Sequence, residues 1–134
     1  GWQEQTDGHL ALYNEVDIGL DTYPYNGATT TCEALWMGVP VVTLSGATHA
    51  SRMGRSLLKA AGLADLIAET QPQFVETARR LALDLATLKS VRACMRTRLQ
   101  GSPLTDGATF ARGLEQLYLV ALEDRRVAQQ ATVI

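Results

Sequence analysis

The sequence predicts a parallel α/β fold, and three observations carry that prediction. Short β-branched runs alternate with helical patterns over residues 1–70. A turn residue marks each change of pattern. Beyond residue 70 the apolar spacing is helical almost to the end. Strands that alternate with helices belong to parallel sheets, because a parallel neighbour is reached only through a crossover.

Taken in order, residues 7–15 read as a short helix that Asp7 can cap, with Leu10, Ala11 and Tyr13 as apolar contacts. Residues 16–20 follow as a strand ending at Asp21. Residues 22–27 form a loop: Pro24 restricts Tyr23 to extended geometry, and Asn26-Gly27 favours positive φ. A helix over 30–37 is stopped by Gly38 in the C′ role. Residues 39–44 are short, apolar and β-branched, as a buried parallel strand requires, with Pro40 near the start where no ladder donor is needed.

A loop over 45–48 leads to a helix over 49–61 that Gly62 ends, and residues 66–68 make a brief third strand. Pro72 suits a helical first turn. Phe74, Val75, Ala78, Leu81 and Ala82 then begin an apolar stripe that Leu85, Leu88, Val91 and Met95 continue. Gly101-Ser102-Pro103 breaks it. Asp106 can cap a last helix carrying Phe110, Leu114, Leu117, Tyr118, Ala121 and Leu122. Three strands are few beside the roughly five or six of a doubly wound sheet. The expectation is therefore half a Rossmann-like domain, a piece of a longer protein: residues 1–70 form the ligand-binding half, and residues 71–134 form helices packed on the same lobe.

Composition closes off other classes. The chain has 134 residues, 46% of them hydrophobic and 19% charged, with a formal charge of −2. Disorder would need less hydrophobicity and more net charge, and a membrane span would need about 18 unbroken apolar residues. No signal-peptide pattern opens the chain. Cys32 and Cys94 are too few for a disulfide scaffold or a metal knuckle, so a reducing cytoplasm is expected. All 12 Lys and Arg lie beyond residue 51, while Glu4, Asp7, Glu15, Asp17, Asp21 and Glu33 precede it. That acidic front argues against nucleic acid. The bases behind it are interleaved with acids and read as a solvated face.

The informative chemistry lies between Asp21 and Gly38. Ligands of parallel sheets bind beyond the carboxyl ends of the strands, which is where Asn26, Gly27, Ala28, Thr29 and Thr30 fall. A helix start there offers unpaired N–H groups and partial positive charge to a phosphate, and the threonines add hydroxyls. The plainer reading makes Thr29 or Thr30 a simple N-cap. Glu33 is likewise either the partner of Thr30 in a capping box or an acceptor for ribose hydroxyls. His9 and His49 have no nucleophile at triad spacing. Cys32 stands one turn into a helix among apolar neighbours and reads as packed, and Met37, Met53 and Met95 read as core fillers.

The stretch NGATTTCEALWMGVPVVTL, followed by SGATHASRMG, GLADLIAET and LATLKSVRACMRTRLQGSPL, resembles the C-terminal lobe of the protein O-linked N-acetylglucosamine transferases. The resemblance extends to the LEQLYL of the last helix and covers nearly the whole chain. It implies a two-lobed GT-B glycosyltransferase with tetratricopeptide repeats upstream. Such an enzyme transfers N-acetylglucosamine from UDP-GlcNAc to Ser or Thr of proteins with inversion, and no metal is expected.

Carried over by position, the family's diphosphate loop falls on Asn26, Gly27, Ala28, Thr29 and Thr30. Its ribose-binding acid falls on Glu33, and a histidine near the base falls on His9. Ala28 departs from the family, whose animal-type members have His there. The family's phosphate-binding Lys and its acceptor-side groups lie upstream of this chain, so the chain alone is expected to be inert in catalysis. A related protein O-fucosyl or N-glucosyl transferase shares the architecture, and a non-catalytic interaction module is the remaining alternative.

Overall fold

The computed structural model describes residues 6–131, with side chains over 8–126. Helix α1 (Thr6–Ala11) tightens into a 3-10 turn (Leu12–Glu15) and leads to strand β1 (Gly19–Leu20). Helix α2 (Thr29–Trp36) precedes strand β2 (Val41–Leu44). A 3-10 turn (Ala50–Arg52) runs into helix α3 (Met53–Ala60), and another (Ala64–Leu66) into strand β3 (Ile67–Ala68). Helices α4 (Gln71–Leu83), α5 (Leu85–Gln100) and α6 (Gly107–Ala131) complete the order. The proposed cap at Asp7 is a side chain outside the described residues.

The sheet has the order β1-β2-β3, parallel throughout. Gly19 is in register with Val41 and Leu20 with Val42, then Thr43 with Ile67 and Leu44 with Ala68. All four residues of β2 are buried, as a strand covered on both faces must be, and α2, α3 and α4 pack against it. The outer strands are shorter than their apolar runs. Pro40 has no N–H, and the amide of Val39 bonds back to Ala34 at 2.8 Å, so β2 offers no ladder donor before Val41 and its first ladder bond is the Pro40 carbonyl accepting from the Gly19 amide at 2.8 Å. Opposite that gap the carbonyls of Val16 and Asp17 accept from Arg92 Nη1 at 2.7 and 3.0 Å instead of from β2. The expected strand over 16–20 is thereby reduced to Gly19–Leu20.

Two glycines act as the sequence requires. Gly38 has φ +82° and Gly62 has φ +68°. In each case the glycine amide bonds the carbonyl three residues back, and the next amide bonds the one five back: Gly38 to Leu35 and Val39 to Ala34, Gly62 to Lys59 and Leu63 to Leu58. These are Schellman ends, which turn the chain sharply from helix to strand.

The helical tail differs from its expected form at three places. The apolar stripe does not run unbroken, because Asp84 ends α4 and caps α5, its carboxylate accepting from the Thr87 amide at 3.0 Å and hydroxyl at 2.7 Å. Leu81, Leu88, Met95 and Leu99 reach the core with Leu35, Val39 and Leu58, whereas Val75 and Leu85 are exposed. The basic residues of α5 are not merely a solvated face. Besides Arg92, Arg96 donates to the Trp36 carbonyl and lies 5.1 Å from the centre of its ring, and Arg98 donates to the Gly62 carbonyl at 2.8 Å. Finally, α4 and α5 pack on the lobe but α6 does not cover its apolar residues. Phe110 is 69% exposed and Leu117 67%, with Tyr118 and Leu122 similarly open.

Truncation of the fully buried Met95 to Ala is expected to cost about 2–5 kcal/mol in chemical denaturation, while Leu119→Ala on the exposed face of α6 changes it by less than about 0.5 kcal/mol. The Thr87 hydrogen bonds hold the Asp84 carboxyl below the ordinary aspartate range. A depressed carboxyl stabilises the fold above its unfolded value and stops doing so as pH falls through the folded one. The stability gap between wild type and Asp84→Ala should therefore be widest near neutrality and close on acidification, as urea titrations across that range would record.

Candidate functional site

Parallel strands end together, so the segments after Leu20, Leu44 and Ala68 share the carboxyl edge of the sheet. The segment after β1 is the most elaborate. Asp21 is fixed to the central strand by its own amide, which bonds the Val42 carbonyl at 2.9 Å. Its carboxylate accepts from the amides of Thr22 at 3.0 Å and Gly27 at 2.8 Å, and from the Thr43 hydroxyl at 2.6 Å. Asn26, buried, donates from Nδ2 to the Thr22 carbonyl at 2.8 Å and accepts at Oδ1 from the Gly54 amide at 3.4 Å. Residues 22–27 are thus tied at both ends before α2 starts.

The start of α2 carries no side-chain cap. Ala28 is the N-cap residue, so Thr29 and Thr30 are already helical, and neither acts as the cap the sequence allowed. Thr31 turns its hydroxyl back to the Gly27 carbonyl at 3.1 Å. The amides of Ala28, Thr29, Thr30 and Thr31 meet no acceptor among the described residues, and Ala28, Thr29 and Thr30 are exposed. Uncapped helix amides at the positive end of a helix dipole can hold an anion.

Gly27 differs from its expected role in two ways. Its φ is not positive: among the described residues only Gly38 and Gly62 have that conformation. What it supplies is room, since a Cβ there would lie 2.6 Å from Thr30 Oγ1 and 2.9 Å from Thr31 Oγ1. Its amide is also taken by Asp21, which leaves the donors to an anion beginning at Ala28.

Glu33 forms no capping box with Thr30. Its Oε2 lies 3.1 Å from His9 Nε2 and 3.3 Å from the Tyr13 hydroxyl, which is also 3.4 Å from the Thr30 carbonyl. The ring of Tyr13 meets that of His9 edge-on, centroids 5.9 Å apart. The structure therefore brings His9 and Glu33 together beside the open helix start and adds Tyr13, whose sequence context reads only as an apolar contact. Burial and the Glu33 charge raise the Tyr13 pKa, so the hydroxyl remains a donor near neutrality. The same two causes push the Cys32 thiol up, which suits its packed reading. His49 stands exposed at the entry to α3 and joins no cluster among the described residues.

A shallow cleft of about 200 Å³ lies against these elements, lined by Tyr13, Asp21, Gly27, Thr30 and Thr31 among others. A larger hollow of about 460 Å³ lies between Gly62, Leu66 and helices α4 and α5, away from the carboxyl edge. Only the smaller one borders the start of α2, through Gly27, Thr30 and Thr31.

Fold and corner together define the class: a Rossmann-like α/β lobe whose first full helix opens, uncapped, at the carboxyl edge of its sheet. Residues 5–114 match the model of glycosyl transferase family 41. The chain is 48% identical over 110 residues to the "Probable UDP-N-acetylglucosamine--peptide N-acetylglucosaminyltransferase SPINDLY" of Solanum lycopersicum, covering 82% of this chain and 12% of that protein. It is 37% identical over 109 residues to the UDP-N-acetylglucosamine--peptide N-acetylglucosaminyltransferase of Caenorhabditis elegans, covering 81% of this chain and 10% of that one. A solved mutant of the Thermobaculum terrenum O-GlcNAc transferase superposes with a TM-score of 0.79 at 46% identity, over 87% of this chain and 22% of that one. The chain belongs to glycosyltransferase family 41, and it spans 12% of the length of the plant relative.

Gly27→Ala should destabilise the chain by about 1–3 kcal/mol, since the new methyl group displaces two threonine hydroxyls. The double variant Gly27→Ala/Thr30→Ala should recover part of that loss, which denaturation of the three proteins would show.

Proposed function

We propose that the full-length protein transfers N-acetylglucosamine from UDP-GlcNAc to Ser or Thr of proteins with inversion, and that this chain holds the donor. The observation that carries the reading is the uncapped start of α2, whose free amides at Ala28–Thr31 face the carboxyl edge of the sheet in a chain of this family. The names of its relatives supply the donor and the peptide acceptor. In this reading the diphosphate rests on those amides and on the hydroxyls of Thr29 and Thr30. The Glu33 carboxylate takes the ribose hydroxyls, and His9 stands beside the base.

Breaking the glycosidic bond puts negative charge on the departing UDP. Fixed dipoles already aimed at that charge stabilise the transition state without reorganising. The diphosphate then needs no metal, and the amide of Gly27 takes no part because Asp21 holds it. The protein acceptor, the opposite lobe and the repeats belong to the rest of the polypeptide. No helix among the described residues is long and apolar enough to cross a membrane, and a cytoplasmic setting accords with the free thiols of Cys32 and Cys94.

Ala28 presents only a methyl group where animal-type members carry His, so the donor sugar is assigned by assay. The full-length enzyme should turn over UDP-GlcNAc in preference to UDP-glucose and GDP-fucose; preference for either of the others overturns the donor and keeps the class. Thr30→Val should lower kcat/KM roughly a hundredfold, the scale of one lost transition-state donor. UDP titrated into the intact protein should perturb NMR signals from Thr29 to Glu33, and an intact protein that binds no UDP is instead an interaction module.

A further inference from the structure

We infer that Asp21 is the positioning residue of the diphosphate corner, an inference that rests on the donor reading above. Its carboxylate joins a fully buried strand to an exposed loop. On one side lies β2, where Val42 and Thr43 are fully buried. The amide of Asp21 bonds the Val42 carbonyl, and the Thr43 hydroxyl donates to its Oδ2. On the other side lies the exposed loop, whose return to the sheet is set by the Gly27 amide on Oδ1 at 2.8 Å. The first free donor, the amide of Ala28, is one residue further on. Of the side-chain ties on this loop, the Asp21 carboxylate is the one that joins the Gly27 amide directly to the central strand.

The surroundings are shaped around that carboxylate. A Cβ on Gly54 would lie 2.4 Å from Asp21 Oδ2 and 2.3 Å from Thr43 Oγ1, so α3 approaches closely only because a glycine stands there. A buried hydroxyl such as that of Thr43 must find a partner, and Asp21 is the one it has. Asn26 braces the loop from the far side through the Ala50 carbonyl and the Gly54 amide. Asp21 itself offers no donor to an anion. Its negative charge is turned inward to three donors, and it acts on the ligand only through the backbone it holds.

Geometry and charge separate in one substitution. In Asp21→Asn, Oδ1 still accepts from the Thr22 and Gly27 amides, and Nδ2 donates to Thr43 Oγ1, a hydroxyl that also accepts. The test is calorimetric titration of UDP and of uridine into full-length wild type, Asp21→Asn, Asp21→Ala and Thr43→Val. We expect UDP affinity to fall at least tenfold in Asp21→Ala and about threefold in Thr43→Val, with uridine affinity unchanged in both. Asp21→Asn should stay within threefold of wild type for both ligands. Equal losses for UDP and uridine in Thr43→Val, or in a folded Asp21→Ala, make Asp21 a general fold-holding residue and overturn the inference. So does an Asp21→Ala protein that keeps wild-type UDP affinity. Wild-type protein that binds no UDP removes the donor reading itself.

Discussion

Four consecutive buried residues, Val41 to Leu44, leave strand β2 no face for water, and most of the molecule follows from covering it. A strand buried on both sides needs helices against it and parallel neighbours beside it. Here α2, α3 and α4 supply the first and β1 and β3 the second. Because the neighbours are parallel, all three strands release the chain at the same edge. The open start of α2 is placed at that edge by topology before any side chain contributes.

Much of this was legible in the residues. The β-branched run with Pro40 near its start marked the central strand, and Gly38 and Gly62 marked two helix ends that the structure closes as Schellman turns. Boundaries that depend on partners distant in sequence were not legible. Nothing near Val16 shows that its carbonyl will be taken by Arg92, 76 positions away, so the first strand read longer than it is. Asp84 was hidden for the opposite reason: helical spacing continues across it, and only the Thr87 hydrogen bonds expose the break. The arginines of α5 looked like solvent-facing charge because interleaved signs describe a surface equally well when their tips reach inward to carbonyls.

The corner after β1 was legible as a place and less so as a mechanism. Asn26, Gly27 and the threonines stood out because turn and cap residues cluster at a strand–helix junction. Which atoms remain unpaired was decided by long-range contacts. Asp21 takes the Gly27 amide and the Thr43 hydroxyl across 6 and 22 positions; with Ala28 as N-cap, Glu33 lies too far into the helix for a capping box and bonds Tyr13 and His9 across 20 and 24. A tyrosine within an apolar segment gives no local sign that its hydroxyl will find a carboxylate on another helix.

Helix α2 is also gripped at its far end. The carbonyl of Trp36 is held by Arg96, whose guanidinium lies over the same residue's ring, and Gly38 and Val39 fold back onto Leu35 and Ala34. In the proposed reading, an anion on the opening amides would draw on the helix along its axis. The tethered tail would then anchor α2 at the end away from that ligand. Rigidity for a binding surface is commonly sought beside the ligand; in the proposed reading, part of it would come from a full helix length behind.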